Sequence, residues 1–118
     1  MTAAGAETGV RRTPLGSYLV DGGKHVGRVD VHRLTLAPGG KTGLHTHPGP
    51  VVSYVVEGRI VVQVEGKPAR TFGPGETIFE PAQTRMLQFD NESATKPAIF
   101  IATYLLSQDD GALIHMIE

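Results

Sequence analysis

The sequence predicts an all-β domain, built as a β-sandwich or a small barrel. Nine short runs rich in Val, Ile, Thr, Phe and Tyr alternate with turn-forming Gly, Pro and Asp residues, which is typical of such folds. No stretch shows the periodicity of an amphipathic helix. The 15 Gly and 8 Pro among 118 residues also disfavour long helices.

The runs follow one another at intervals of about 8 to 12 residues. Each consists mainly of β-branched, aromatic or other apolar residues, which favour extended strands. In chain order they are Ser17–Val20, Val29–Ala37, Val51–Val56, Arg59–Glu65, Ala69–Phe72, Thr77–Glu80, Arg85–Phe89, Ala98–Leu106 and Leu113–Ile117. Turn signals such as Asp21-Gly22-Gly23 and Gly73-Pro74-Gly75 lie between them, so we expect short connections.

The length predicts one domain, which we place at residues 13–118. Residues 1–12 are small and polar and predict a flexible N-terminal tail. They lack the pattern of a signal peptide, and no apolar run reaches the roughly 18 residues of a membrane span. A cytoplasmic location without membrane contact is therefore the default expectation.

Composition argues against several functions. The 11 basic and 12 acidic residues give no positive field for nucleic acid. Cysteine is absent, which rules out disulfides and thiolate nucleophiles. The chain has neither a phosphate-binding Gly-x4-Gly-Lys-Ser/Thr loop nor a Gly-x-Ser-x-Gly nucleophile motif.

The chemistry of the chain is concentrated at His45-Thr46-His47. In an extended chain, residues i and i+2 point to the same side and lie roughly 7 Å apart at Cα. Both imidazoles can then reach one metal ion, and imidazole suits Zn, Cu, Fe and Ni. Strand alternation predicts an interior shared by His45, His47, Val51, Ser53, Met86 and Gln88.

Two segments carry a resemblance to a known family. Pro38 to Gly58 resembles the first motif of the cupin superfamily, in which Gly39, His45, His47 and Gly58 match and Val51 takes the place of a glutamate. Gly75 to Asp90 resembles the second motif. Here Gly75 and Pro81 match, whereas the family's Gly, His and Asn positions hold Gln83, Met86 and Asp90.

The resemblance covers roughly residues 28–106 and is nearest to small bacterial single-domain members of the cupin 2 type. It implies an antiparallel jelly-roll β-barrel of six to eight strands, usually a homodimer. It also implies a metal site of three His and one Glu, of which His45 and His47 remain. The family's activities include dioxygenases, isomerases, lyases, decarboxylases and cyclases of small metabolites.

The incomplete motif leaves three interpretations open. Other side chains complete the metal site: Gln88, Met86, whose thioether favours Cu(I), or Glu80 from a strand end. Alternatively the metal is lost and a histidine acts as general base, or the barrel only binds a ligand. Because Val51 replaces the acidic ligand, no carboxylate triad for iron is visible, which favours proton transfer or no chemistry over Fe(II) oxygenation.

We therefore predict a cupin-like enzyme that acts on a small, partly apolar metabolite. The alternative is a metal-free or non-catalytic ligand-binding barrel. His45 and His47 are the predicted catalytic residues and, with Gln88 and Met86, the predicted ligands of a divalent Mn, Fe, Ni, Cu or Zn ion. The predicted pocket residues are Val51, Ser53, His32 and Glu80.

Overall fold

A computed structural model of the chain describes residues 9–117. Within that range the chain forms nine strands, numbered β1 to β9, and no helix. The strands are Arg28–Leu36, His45–Thr46, Val51–Glu57, Ile60–Val64, Arg70–Phe72, Thr77–Glu80, Met86–Asn91, Ala98–Leu106 and His115–Met116. The predicted all-β class is confirmed.

The strands form two antiparallel sheets. One has four strands in the order β1-β8-β3-β6, and the other has five in the order β5-β4-β7-β2-β9. Consecutive strands often lie in different sheets, since β2 and β3 belong to opposite walls. The chain therefore crosses repeatedly between the sheets and encloses the space between them.

The core lies between the two sheets, where alternate side chains of each strand meet. In β8 every second residue from Ala98 to Leu106 is buried, the period-2 pattern of a strand with one covered face. Phe100 of this strand packs against Phe89 of β7, with ring centroids 5.0 Å apart. The other buried apolar residues are Leu36, Val51, Val55, Ile60, Val62, Ile78, Met86, Ala102 and Tyr104.

The two ends of the chain differ from the expectation. Residues 17–20 were predicted as a strand but lie outside both sheets. The last predicted strand shortens to His115–Met116. Of the predicted tail, residues 1–8 lie outside the described range, while 9–12 are exposed and have no regular structure.

The described range contains no helix that is long and apolar enough to cross a membrane. The homodimer stays a prediction.

A β-bulge in β7 changes which side chains face inward. Gln63 of β4 pairs with Gln88, but Val64 pairs with Met86, so Leu87 is an extra residue without a partner in β4. A bulge reverses the alternation beyond it. Met86 and Phe89 are therefore both buried, although simple alternation put them on opposite faces.

The turn before β7 contains a strained residue. Gln83 is the one non-glycine residue of the described range with positive φ, at 52°. This is the position where the second cupin motif has glycine, so the backbone keeps the conformation without the residue that favours it. The backbone N–H of Gln83 donates a hydrogen bond of 2.7 Å to the backbone carbonyl of His47, which links the turn to the His-x-His segment.

We expect Gln83→Gly to stabilise the protein by about 0.5 to 1 kcal/mol. Relief of roughly 1–2 kcal/mol of left-handed strain exceeds the entropy that glycine adds to the unfolded chain. Urea unfolding measures the change. The matched control is Gln108→Gly, at an exposed turn position without positive φ, which should destabilise the protein by about 0.4 to 1 kcal/mol. Loss of stability in both variants would contradict the assignment of strain to Gln83.

Candidate metal centre

Three buried side chains meet inside the barrel: His45, His47 and Glu80. His45 begins β2 and His47 follows it, so the two histidines come from one sheet. Glu80 ends β6 in the other sheet, where it pairs directly with Val51 of β3. The carboxylate that the first motif lacks at Val51 is thus present on the neighbouring strand, one strand spacing away.

The three ligand atoms converge on one point. Nε2 of His45 lies 3.3 Å, and Nε2 of His47 3.1 Å, from Oε1 of Glu80. On the far side of each ring, Nδ1 lies 2.8 Å from a backbone carbonyl, that of Gly43 for His45 and that of Leu113 for His47. A carbonyl only accepts hydrogen bonds, so both Nδ1 atoms carry a proton. When a ring is neutral, its Nε2 presents a lone pair to the carboxylate, and when the ring is protonated, its Nε2 donates a hydrogen bond to Glu80.

The electrostatics of the cluster follow from this arrangement. Burial by itself would lower the pKa of His47, but the hydrogen bond and negative charge of Glu80, together with the Leu113 carbonyl, raise it above 6.5. Burial would raise the pKa of Glu80, but hydrogen bonds and charge from His45 and His47 hold it below its usual range. The site therefore favours an ionised carboxylate with a cation beside it.

A cavity of about 50 Å³ adjoins the cluster. Tyr104 of β8 lies on its wall, with its ring centroid 5.8 Å from that of His47. Burial and the charge of Glu80 raise the pKa of the Tyr104 phenol, so this group stays protonated at neutral pH. The remaining wall is mainly apolar and comprises Leu34, Thr42, Phe89, Phe100 and Ile114.

The structure brings most of the predicted interior residues together. His45, His47, Val51, Ser53, Met86 and Glu80 are all buried. Met86 pairs with His45 across β7 and β2, and its role as a ligand stays a prediction. The hydroxyl of Ser53 is buried without a hydrogen-bond partner in the described range. The catalytic roles of His45 and His47 also stay predictions. Of the four predicted pocket residues, Glu80 lines the cavity, whereas Val51 and Ser53 are buried without lining it.

Two further predicted site residues, Gln88 and His32, lie away from the cluster. Gln88 does not share the inward face of Met86, because the bulge at Leu87 turns it to the outer surface. There its amide donates to Asp90 at 3.1 Å. His32 is exposed and does not line the cavity; its ring contacts Tyr104 edge-on, with centroids 5.4 Å apart.

The inference that no carboxylate triad is present was wrong for a specific reason. It assigned the acidic ligand to the position of Val51 in the sequence, whereas the cluster takes it from Glu80 on the paired strand. The sequence does offer Glu80 as one of three candidates to complete the site, because it is an acidic residue that ends an apolar run directly before Pro81. Its approach to the histidines depends on the pairing of β3 with β6.

The family model of the cupin domain matches residues 32–104 of this chain. A search of curated proteins found no significant match.

Solved structures with the same fold include a cupin-like protein from Thermotoga maritima, at 21% identity and TM-score 0.64, covering 75% of this chain and 64% of that one. An oxalate oxidase in complex with glycolate has 27% identity and TM-score 0.63, with 75% and 46% covered. TT1209 from Thermus thermophilus has 32% identity and TM-score 0.57, with 70% and 77% covered. The chain thus spans less than two thirds of the first two proteins. These matches confirm the cupin-like fold.

We expect the stability of the metal-free protein to depend on pH through His47 and Glu80. The raised pKa of His47 gives stabilisation that is complete below pH 6.5 and is lost as the pH rises through the raised value. The lowered pKa of Glu80 gives stabilisation that is present above pH 4.5 and is lost as the pH falls through the lowered value. Thermal unfolding in excess chelator, from about pH 5 to pH 8, should show a decline on the alkaline side.

His47→Gln is the diagnostic variant for this prediction, because it keeps a polar side chain but cannot titrate. The alkaline decline should disappear in this variant and persist in His25→Ala, which removes an exposed histidine. The same decline in wild type and His47→Gln would show that another group causes it.

Proposed function

This chain belongs to the cupin family, and on that premise we propose that it is a metal-dependent enzyme acting on a small, partly apolar metabolite. The proposed centre consists of His45, His47 and Glu80 and takes a divalent transition metal. Met86 pairs with His45 in the sheet, and we place its side chain beside the proposed centre.

One observation carries this proposal: two ring nitrogens and one carboxylate oxygen converge in a buried site. Both Nδ1 protons are already donated to carbonyls, so in the neutral rings each Nε2 turns a lone pair toward Oε1 of Glu80, at 3.3 Å for His45 and 3.1 Å for His47. Buried acceptors that face each other without a proton or cation between them are costly. A metal ion satisfies all three at once. Backbone carbonyls on the outer nitrogens are the usual supports of metal-bound histidine.

The donor set fits a divalent transition metal. Two imidazoles and one carboxylate with open positions form the ligand set of non-haem Fe(II) oxygenases, and two His with one Glu also bind catalytic zinc. The chemistry available at such a loaded centre is Lewis-acid catalysis or, with iron, oxidation by dioxygen. Fe(II) oxygenation is therefore one of the proposed reaction classes, together with isomerase, lyase and cyclase chemistry.

The residues around the cluster limit what can react. Phe89, Phe100 and Leu34 line the adjoining cavity, and the three ligand side chains are buried, so little of their surface is open to solvent. A volume of about 50 Å³ admits a group of only a few atoms. Tyr104 keeps its phenol proton and can donate a hydrogen bond to a ligand there. The oxalate oxidase of similar fold supports an enzymatic role on small molecules.

A second candidate function is a metal-free ligand-binding barrel. The observation that favours it is the contact between His47 and Glu80, which is a satisfied ion pair when His47 is protonated. Metal content separates the two candidates.

We expect about one transition-metal ion per chain in protein purified without a histidine tag and reconstituted with Fe(II), Mn(II) or Zn(II). Elemental mass spectrometry measures the content. Glu80→Gln and His47→Ala should weaken metal binding by more than the roughly 10- to 100-fold that loss of an outer-sphere partner causes. The matched controls are Glu92→Gln and His25→Ala, which change exposed residues outside the cluster.

Wild-type protein that takes up no metal after reconstitution would overturn the proposed enzyme and leave the binding barrel. Full metal content in Glu80→Gln would show that the carboxylate is not a ligand. For protein that does bind metal, oxygen consumption and proton exchange in a panel of small organic acids and ketones test the reaction class, with Glu80→Gln as the inactive reference.

A further inference from the structure

A second cavity, of about 260 Å³, opens at the edge of the barrel between the two sheets. We call it the side cleft. Its floor is apolar and comes from both sheets: Val62 and Val64 of β4, Phe72 of β5, and Ile78 and Phe79 of β6. It shares no lining residue with the cavity at His45, His47 and Glu80.

The N-terminal segment forms one wall of the side cleft. Tyr18 stacks on Phe79 with ring centroids 4.9 Å apart and planes within 5°. Its hydroxyl is hydrogen-bonded to Thr77, whose hydroxyl also donates to the carbonyl of Leu15. These contacts hold the Tyr18 ring in place at the wall of the cleft, beside its apolar floor.

The charges at the side cleft all have one sign. Lys67 and Arg70 line it, and no acidic residue does. Arg70 is partly neutralised, since it lies 3.6 Å from Glu76 and its guanidinium sits over the ring of Phe72. Lys67 has no carboxylate of residues 9–117 within ion-pair distance, so its ammonium is the available cation.

The side cleft lies beside the metal centre but is walled off from it. Met86 of β7 pairs with His45 on one side and with Val64 on the other. β7, which carries the buried side chain of Met86, thus lies between Val64 of the cleft lining and His45 of the proposed centre. Glu80 follows Phe79 in β6, but its carboxylate reaches the histidines instead.

We propose that the side cleft binds a small organic carboxylate with an apolar body about the size of one ring. An apolar floor with a few polar groups at the rim is the usual composition of a small-ligand site. The ring would lie against Val62, Val64 and Ile78, and the carboxylate would face the ammonium of Lys67. This site is separate from the proposed metal centre and does not depend on metal.

The experiment uses benzoate as the probe and benzamide as its uncharged match. Both are titrated into full-length, isotope-labelled protein, once loaded with Zn(II) and once in excess chelator. Benzoate should perturb the amide signals of residues 62–64 and 77–79 in both states, with contacts from its ring protons to the methyl groups of Val64 and Ile78. Benzamide should bind about fivefold more weakly, as expected for loss of one exposed ion pair.

Two lysine variants test the assigned cation. Lys67→Gln should weaken benzoate binding about fivefold without changing benzamide binding. Lys96→Gln, which removes an exposed lysine outside the cleft, should change neither. Both side chains are exposed, so folding is not at risk.

Several results would overturn the proposal. They are absence of benzoate binding, equal affinity for benzamide, or equal effects of the two lysine variants. Binding that requires Zn(II) and perturbs residues 45–47 would also overturn it, because the carboxylate would then sit at the metal centre. That result would support the proposed enzyme, whereas a protein that binds benzoate but no metal would uphold the cleft and refute the enzyme.

Discussion

Two imidazole nitrogens and one carboxylate oxygen face each other in the interior, and the rest of the site is arranged around that constraint. Such a group is stable only with a positive charge among its members, because buried acceptors cannot satisfy one another. A neutral histidine could satisfy Glu80 by carrying its single proton on Nε2. The backbone carbonyls of Gly43 and Leu113 prevent this, since they bind the Nδ1 protons and fix both rings. What remains is a binding site for a proton or a metal ion. The raised pKa of His47 and the lowered pKa of Glu80 are consequences of the same geometry.

The framework shows how a ligand set can be kept in space while it changes in sequence. Val51 and Glu80 are direct partners in the β3–β6 ladder, so a carboxylate on either strand reaches the same interior region. The segment after β8 contributes as well, because Leu113 anchors His47 and β9 pairs with β2. The backbone N–H of Gln83 donates a hydrogen bond to the backbone carbonyl of His47 and so fixes the end of this segment. The centre therefore depends on four separate parts of the chain: the His-x-His segment, the end of β6 at Glu80, the turn at Gln83 and the segment at Leu113.

The barrel interior is divided into two environments of different character. Around His45, His47 and Glu80 it is narrow, acceptor-rich and bounded by aromatic rings. The side cleft at the edge of the sheets is a separate apolar space with Lys67 and Arg70 among its lining residues. Met86 and β7 lie between the two. Because protein interiors are close-packed, a ligand in one space can influence the other through β7, where Met86 lies between them, and through β6, where Phe79 of the cleft precedes Glu80 of the centre.

The sequence by itself determined the class of fold, nearly all of the strands and the inward orientation of His45 and His47, because composition, turn residues and period-2 alternation are local properties. It also identified Val51, Ser53 and Met86 as interior. Only the tertiary structure decided that Glu80 completes the cluster, since this depends on which strand pairs with β3 and in which register. It likewise decided that Gln88 faces outward, because the bulge at Leu87 becomes visible only when β7 is paired with β4. Strand pairing is a non-local choice, and a shift of one residue reverses every side chain beyond it.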